Sequence, residues 1–182
     1  MITHRIIILC WSLVFFGTHS LTAVDSERPN IVFILAADLG YGDVKAFGKD
    51  KCNIDPPHFD RLCAEGMKFT NAHVTDSVCV PSRTSIMTGR YAFRFGKAEQ
   101  GGPWGFSGLR FPTTQHTLGR MFQSGGYTTG YVGKWHLGTR MTTRDGKIQQ
   151  SENTDFTKPI LIGPSDYGFD DCFFLPGSLD MF

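Results

Sequence analysis

A continuous apolar run, Asn30 to Ala36 (NIVFILA), constrains the fold of this chain more than any other segment. A run of this length without polar alternation is typical of a strand buried on both faces of a parallel sheet. The acidic, glycine-rich turn Asp38 to Asp43 follows it at once. Open α/β sheets bind ligands at the carboxyl ends of their strands. The run therefore predicts a central strand with carboxylates at the ligand-binding edge of its sheet.

The remaining periodic segments alternate helices with strands. The predicted helices are His58 to Glu65, Ser82 to Thr88 and Thr117 to Ser124, and the predicted strands are Met67 to Val74 and Tyr127 to Val132. Such alternation implies an α/β layered domain with a central, mainly parallel sheet. The polar stretch Thr142 to Pro159 is predicted to form a long surface loop.

The first residues have the pattern of a secretory signal peptide. His4 and Arg5 precede the apolar run Ile6 to Phe16, and small or polar residues follow up to Ala23. Because a membrane helix needs about 20 apolar residues, this run is too short for a stable anchor, and an uncleaved anchor is the less favoured alternative. We predict a signal peptide over residues 1–23 and a secreted or periplasmic protein.

The charge of the chain argues against a nucleic-acid partner. Lys and Arg number 18 and Asp and Glu number 17, and no run of basic residues occurs. Binding a phosphate backbone needs a clustered basic face, so no nucleic acid is predicted as partner. A small anionic substrate is still compatible with this charge, because a local pocket can be positive while the total is near zero.

Four cysteines follow the predicted signal peptide, and one of them lies in the strongest chemical motif of the chain. Their spacing matches no zinc pattern, and they are too few for a disulfide scaffold. They are Cys52, Cys63, Cys79 and Cys172.

The segment from Cys79 to Arg83 (CVPSR) combines a cysteine with features that attract anions. A cysteine just ahead of a helix start lies where backbone N–H groups and the helix dipole stabilise negative charge. Pro81 suits the first helical turn, and Ser82 has the side chain of a helix cap. Arg83 adds a permanent cation whose fork matches tetrahedral oxyanions. The segment therefore predicts a sulfate or phosphate site, with a buried or disulfide-bonded cysteine as the alternative.

A second segment, Gly126 to Gly138 (GYTTGYVGKWHLG), carries Lys134 and His136 at the end of a predicted strand. Side chains two residues apart in a strand point the same way, so both can face one pocket while Trp135 packs on the opposite side. A cation and a titratable imidazole would then share this pocket. Taken alone, a Lys and a His at a strand end are more often solvated surface residues.

The two segments together resemble the signatures of the formylglycine-dependent sulfatases. Cys79 to Arg90 is similar to the first signature, from C-x-P-S-R to the closing T-G-R, and Gly126 to Gly138 is similar to the second. The resemblance implies an alkaline-phosphatase-like α/β fold and a sulfuric ester hydrolase. It identifies residues 24–182 as the N-terminal part of a sulfatase catalytic domain. Because the chain ends at Phe182, shortly after an apolar segment, we expect a domain that is incomplete at its C-terminus.

The resemblance also implies a role for each residue of the site. A separate formylglycine-generating maturation enzyme would oxidise Cys79, and the hydrated aldehyde would attack the sulfate ester. Arg83 and Lys134 would bind the ester oxygens, and His136 would assist proton removal when the intermediate collapses. Ser178 matches a serine that faces the active site and would bind substrate together with Lys134.

A calcium ion is the cofactor that the resemblance implies, with Asp38 and the modified Cys79 among its ligands. The family's acidic turn supplies two adjacent aspartates, whereas this chain reads Ala37-Asp38. Calcium takes about six to eight oxygen ligands, so the loss of one carboxylate predicts a weakened site.

Two alternatives to a sulfatase remain at this point. Phosphonate and phosphodiester hydrolases related to sulfatases share the formylglycine motif, and their anionic substrates would suit the same residues. An inactive, sulfatase-derived remnant would account for Ala37 and for the end of the chain.

Overall fold

The structure is a computed structural model that describes residues 28–52, 57–96, 108–147 and 152–178. The predicted signal peptide, residues 1–23, lies outside the described residues. The chain divides into one unit that ends at Ala36 and a second that begins at Ala37. Within the described ranges, no helix has the length and apolar character needed to cross a bilayer.

In the first unit, the prediction of a strand over Asn30 to Ala36 is wrong. Residues 28–36 form neither helix nor strand. The side chains of Ile31 to Leu35 are 42 to 82% exposed. A strand requires hydrogen bonds to a neighbouring strand, and residues 28–36 contain no second strand to provide them. The apolar pattern indicates that these residues favour burial, but it does not show whether a neighbouring strand is present to pair with them.

The described residues of the second unit form four α-helices and four short 3₁₀ turns. The helices are α1 (Lys45–Gly48), α2 (Pro57–Glu65), α3 (Cys79–Thr88) and α4 (Leu118–Ser124), and the turns are Tyr41–Asp43, Lys49–Lys51, Ala92–Phe95 and Pro164–Tyr167. The three predicted helices are confirmed as α2, α3 and α4, with small changes at their N-terminal ends.

The ends of α3 and α4 follow from specific residues. Gly89 ends α3 in the left-handed conformation, with φ 65°, and its N–H donates to the Ser85 carbonyl oxygen over 2.8 Å. Thr117 caps the N-terminus of α4, because its hydroxyl oxygen accepts a hydrogen bond from the Arg120 N–H over 3.3 Å. Gly89 directly follows the predicted end of its helix, whereas the helix predicted to start at Thr117 begins one residue later, with Thr117 as its cap.

Four strands form two small sheets in the described part of the second unit. They are β1 (Gly130–Lys134), β2 (Arg140–Met141), β3 (Ile160–Ile162) and β4 (Asp171–Leu175). β1 pairs with β4 in parallel, with Lys134 opposite Leu175, and β2 pairs with β3 antiparallel. The strand predicted over Tyr127 to Val132 is thus confirmed in part, since it begins at Gly130 and continues to Lys134.

The strand predicted over Met67 to Val74 is wrong, because these residues form no helix or strand. All eight are exposed, including Met67 at 80% and Phe69 at 68%. Alternating polarity stabilises a strand only when its apolar face is covered. The polar loop predicted from Thr142 is confirmed where it is described, with one isolated bridge between Thr143 and Thr154.

The hydrophobic core joins the two segments that carry the chemical motifs. Its buried members are Met87, Phe111, Trp135, Leu137, Tyr167 and Phe169. Trp135 and Tyr167 are completely buried, with ring centroids 5.5 Å apart. The Tyr167 hydroxyl donates to the Phe111 carbonyl oxygen over 3.0 Å, as a buried polar group requires. Because Met87 belongs to α3 and Trp135 follows β1, this core fixes α3 against the end of β1.

α4 packs directly on the main chain of the turn Pro164–Tyr167 and of Gly168. The Thr117 hydroxyl donates to the Tyr167 carbonyl oxygen, and the Arg120 guanidinium donates to the Asp166 carbonyl oxygen over 2.8 Å. Gly119 is buried there, and a Cβ atom at this position would lie 2.5 Å from the Gly168 carbonyl oxygen. The contact is therefore closer than any side chain at residue 119 would allow.

Candidate active site

The N-terminus of α3 places Cys79 in the first helical turn. Val78 precedes it in an extended conformation, with φ −116° and ψ 149°, and supplies no side-chain cap. The Cys79 thiol is free and partly buried. A residue at this position meets the unpaired N–H groups and the positive end of the helix dipole. The structure thus puts residue 79 where negative charge is stabilised, as the sequence predicted.

Ser82 does not cap α3, so that part of the prediction is wrong. Its N–H already donates to the Val78 carbonyl oxygen, because the helix begins three residues earlier than predicted. Its hydroxyl instead donates to the Asp76 carbonyl oxygen over 2.6 Å. Asp76 in turn accepts a hydrogen bond from the Val78 N–H over 3.0 Å. Ser82 and Asp76 therefore fix the loop that leads into residue 79.

Lys134, at the end of β1, reaches both Cys79 and Ser178. Its Nζ atom lies 3.4 Å from the Cys79 Sγ atom and donates to the Ser178 hydroxyl over 3.1 Å. These residues are far apart in the chain, so the fold itself brings them together. Three of the predicted site residues therefore form one cluster with a cation at its centre.

Parallel pairing carries Ser178 to this cluster. The ladder between β1 and β4 continues past both strands, with the Trp135 N–H donating to the Leu175 carbonyl oxygen over 2.9 Å. The next bond joins the His136 N–H to the Pro176 carbonyl oxygen over 3.0 Å. These two bonds hold the chain after β4 beside the chain after β1. Ser178 follows within two residues of Pro176.

Arg83 contacts the main chain of Lys134. One nitrogen of its guanidinium, Nη1, donates to the Lys134 carbonyl oxygen over 2.6 Å. The Tyr131 hydroxyl donates to the same oxygen. Arg83 lies one turn after Cys79 on α3, so residue 79, the guanidinium and the end of β1 are neighbours. Sequence analysis missed Tyr131, because nothing in a strand pattern predicts a bond from a hydroxyl to a carbonyl three residues later.

His136 follows Lys134 by two residues, but the predicted alternation does not extend to it. β1 ends at Lys134, and His136 adopts the left-handed conformation with φ 55°. The strand argument for its direction is therefore wrong, since alternate side chains share a face only while the chain stays extended. The His136 side chain is buried, with 6% of its surface exposed. Trp135 packs into the core as predicted, and its Nε1 donates to the Gly138 carbonyl oxygen over 2.8 Å.

Asp38 lies in an exposed turn and has a left-handed backbone, with φ 61°. The second acidic residue of this turn, Asp43, uses a carboxylate oxygen to accept the Gly40 N–H over 2.8 Å. Within the described ranges, no three His, Cys, Asp or Glu side chains come together as metal ligands would. Calcium needs about six to eight oxygens, and Ala37-Asp38 offers one carboxylate. These residues alone therefore do not fit a calcium site.

The cluster has the chemistry of a site for an oxyanion. It combines the positive N-terminus of α3, the Lys134 ammonium and the Ser178 hydroxyl around residue 79. A cation and hydroxyl donors fixed by the fold stabilise charge on bound oxygens without reorganising during the reaction. Burial raises the pKa of the neighbouring Tyr131, against the opposing influence of the Arg83 guanidinium, so its hydroxyl is a donor at neutral pH.

Comparison with known proteins gives matches to sulfatases. The sequence profile of the family named Sulfatase matches residues 29–177. An N-acetylgalactosamine-6-O-sulfatase of Bacteroides thetaiotaomicron is 38% identical over 156 residues, which cover 86% of this chain and 28% of that protein. An arylsulfatase of Hemicentrotus pulcherrimus is 37% identical over 79% of this chain and 23% of its own length.

Solved structures agree as well. One from work on the metabolism of multiple glycosaminoglycans by Bacteroides thetaiotaomicron has a TM-score of 0.71 and 37% identity, covering 85% of this chain and 30% of its own. The structure of Ps i-CgsB has a TM-score of 0.64 and 32% identity, covering 84% of this chain and 29% of its own. These matches confirm the predicted alkaline-phosphatase-like α/β fold.

The chain spans less than a third of the length of these relatives, 28% and 23% of the two proteins and 30% and 29% of the two structures. The profile match nevertheless extends over most of the chain and includes both motif segments. The chain therefore belongs to the sulfatase family.

Proposed function

We propose that the protein is a sulfuric ester hydrolase in which residue 79 carries the covalent chemistry. The observation that carries this proposal is the position of the Lys134 Nζ atom, 3.4 Å from the Cys79 Sγ atom and 3.1 Å from the Ser178 hydroxyl oxygen. A sulfate group bound over residue 79 would meet a cation and a hydroxyl that the fold holds in place. Family membership supports the choice of sulfate esters as the substrate class.

Formylglycine at position 79 is part of the proposal, and the structure is compatible with it. Cys79 is a free, partly exposed thiol at the start of a helix, and it forms no disulfide with the other described cysteines. A hydrated aldehyde there would supply an oxygen nucleophile in place of the thiol. A formylglycine-generating maturation enzyme is accordingly the partner that we propose for the newly made chain.

The other residues have distinct proposed roles. Lys134 binds the non-bridging oxygens of the ester, and Ser178 orients the same group through its hydroxyl. Arg83 contributes a permanent positive charge and holds the end of β1 through the Lys134 carbonyl oxygen. We propose His136 as the group that accepts a proton when the intermediate collapses, because it matches the histidine of the second sulfatase signature.

Calcium enters the proposal only through Asp38 and the modified residue 79. Two such ligands cannot satisfy the ion, and no cluster of three His, Cys, Asp or Glu side chains occurs among the described residues, so further oxygen ligands would be needed. We further propose that residues 1–23 are a signal peptide, that the mature protein is secreted or periplasmic, and that residues 24–182 form the N-terminal part of the catalytic domain.

The experiment is to make the protein in its natural full length together with its maturation enzyme. Mass spectrometry of the peptide with residue 79 is expected to show the mass deficit of thiol-to-aldehyde conversion. The purified protein is expected to hydrolyse 4-nitrophenyl sulfate faster than 4-nitrophenyl phosphate. A preference for the phosphate ester would favour a related phosphoester hydrolase, and an unconverted Cys79 would contradict the proposal.

Lys134→Met tests the part of the proposal that concerns substrate binding. Removing the ammonium is expected to lower kcat/KM for the sulfate ester by at least about 100-fold, as loss of one electrostatic contact to the reacting group does. Lys147→Met is the matched control, because Lys147 is exposed and pairs with Asp145 in a surface loop. Equal activity of the two variants would contradict the proposed role of Lys134.

A further inference from the structure

We propose that Tyr131 is a positioning residue: with Arg83, its hydroxyl anchors the main-chain carbonyl of Lys134 and so directs the Lys134 side chain at residue 79. The two donors meet at one oxygen, from β1 and from α3. This inference rests on the proposed function, in which residue 79 carries the covalent chemistry. Tyr131 itself contacts neither Cys79 nor Ser178 in the hydrogen bonds of the cluster, and it acts through Lys134.

The main chain around Lys134 needs such an anchor. Gly133 precedes it with φ 105°, a conformation outside the ordinary range of a strand, and nothing lies within 4 Å of the position its Cβ would take. His136 follows with φ 55°. Regular strand conformation is therefore interrupted on both sides of Lys134, and the pairing with β4 alone does not set the direction of its side chain. The lysine stem is long and flexible, and the two donors fix the main-chain position from which it starts.

The Tyr131 ring is held firmly enough to provide this anchor. It packs edge to face against Trp135 and against Phe169, each with ring centroids 5.2 Å apart. Trp135 is completely buried and Phe169 is 9% exposed, so both belong to the core. The hydroxyl at the tip of the ring is thereby placed by the core, which also holds α3. The anchor couples the core to the Lys134 ammonium, which lies 3.4 Å from the Cys79 Sγ atom.

The test uses the full chain made in a host that leaves Cys79 as a thiol. Its alkylation by iodoacetate, an anion, is compared with alkylation by neutral iodoacetamide, and peptide mass spectrometry follows Cys79 with Cys63 as internal reference. The ratio of the two rates reports the positive charge that Lys134 presents to residue 79. In Lys134→Met the ratio is expected to fall about fivefold, the factor for one unit charge at about 4 Å in water.

Tyr131→Phe keeps the ring and removes the hydroxyl. Its ratio is expected to fall at least about twofold in the same direction as that of Lys134→Met. Tyr127→Phe is the matched control, because Tyr127 packs on Phe122 and its hydroxyl makes no hydrogen bond with other described residues. Replacing Tyr131 by 4-aminophenylalanine, which restores a donor at the same place, is expected to restore the ratio.

An unchanged ratio in folded Tyr131→Phe would overturn the inference, even if the variant melted at a lower temperature, since a purely structural role would lower stability alone. Failure of 4-aminophenylalanine to restore the ratio would also overturn it. Should Tyr131→Phe not fold, Tyr131→Met provides the second variant without a hydroxyl, and the same fall is expected. None of these measurements needs formylglycine or turnover, so an absent sulfatase activity would refute the proposed function separately.

Discussion

Gly119→Ala should destabilise the protein, although alanine is the better helix former. In a helix interior, alanine is more favourable than glycine by up to about 1 kcal/mol, so propensity alone predicts a gain in the free energy of unfolding. Here a Cβ atom would lie 2.5 Å from the Gly168 carbonyl oxygen and 2.8 Å from that of Tyr167. Both neighbours are main-chain atoms, so the clash cannot be relieved by rotating a side chain.

Opening this contact moves α4 away from the turn Pro164–Tyr167. Overpacking of a well-packed site costs about 1–3 kcal/mol, and the buried bond from the Thr117 hydroxyl to the Tyr167 carbonyl oxygen would be stretched as well. After the gain in helix propensity is subtracted, we expect a net loss of about 1–2 kcal/mol. The sign is decided by the clash, since propensity acts in the opposite direction.

Urea denaturation followed by tryptophan fluorescence would measure the change, on the full-length protein and under two-state conditions. Gly42→Ala is the control, because nothing lies within 4 Å of the position of its Cβ, and we expect a change within about 0.5 kcal/mol. A Gly119→Ala variant that is more stable than the parent protein would refute the reasoning, since it would mean that α4 and the turn can separate without cost.

Three further predictions concern charge. Hydrogen bonds from the Thr129 N–H, the Thr129 hydroxyl and the Gln123 amide lower the pKa of Asp170. The stability that the ionised carboxylate contributes is therefore present above its unfolded pKa and is lost as pH falls below about 4. In acid denaturation, Asp170→Asn should lose less free energy of unfolding over that range than the parent protein. Burial raises the pKa of Tyr167 to about 12. The stability linked to its neutral form is therefore lost as pH rises from about 10 to about 12. Ultraviolet titration should find one tyrosine that ionises only near the upper end of this range. Ala37→Asp should raise calcium affinity in calorimetry of the full-length protein, and an unchanged affinity would mean that the missing carboxylate does not limit binding.

Local signals in the sequence predicted the helices well. Thr117 and Gly89 each determine one end of a helix through bonds to the adjacent main chain, and such bonds depend on few residues. The cluster of Cys79, Lys134 and Ser178 could also be anticipated, because both motif segments were recognisable from the sequence. What connected them was their resemblance to a family, since spacing alone gives no distance between residues 79 and 134.

The strands could not be predicted with the same success, because a strand depends on a partner elsewhere in the chain. The run from Asn30 and the alternation from Met67 have strand-like composition, yet neither forms a strand among the described residues. His136 shows a related limit, since its left-handed backbone ends an alternation that the sequence pattern would continue. The Tyr131 contact with Lys134 depends on that same local geometry and has no signal in the sequence.

The ladder that continues past β1 and β4 makes the separation of Lys134 and Ser178 independent of the chain between them. The chain leaves this ladder after His136, its described residues form β2 and β3, and it returns at β4. Insertions or deletions in the segment between β1 and β4 would change the entropic cost of loop closure only slightly and would leave the two terminal bonds of the ladder intact. The segment between β1 and β4 could therefore change in length or sequence during evolution while Lys134 and Ser178 keep their positions beside residue 79.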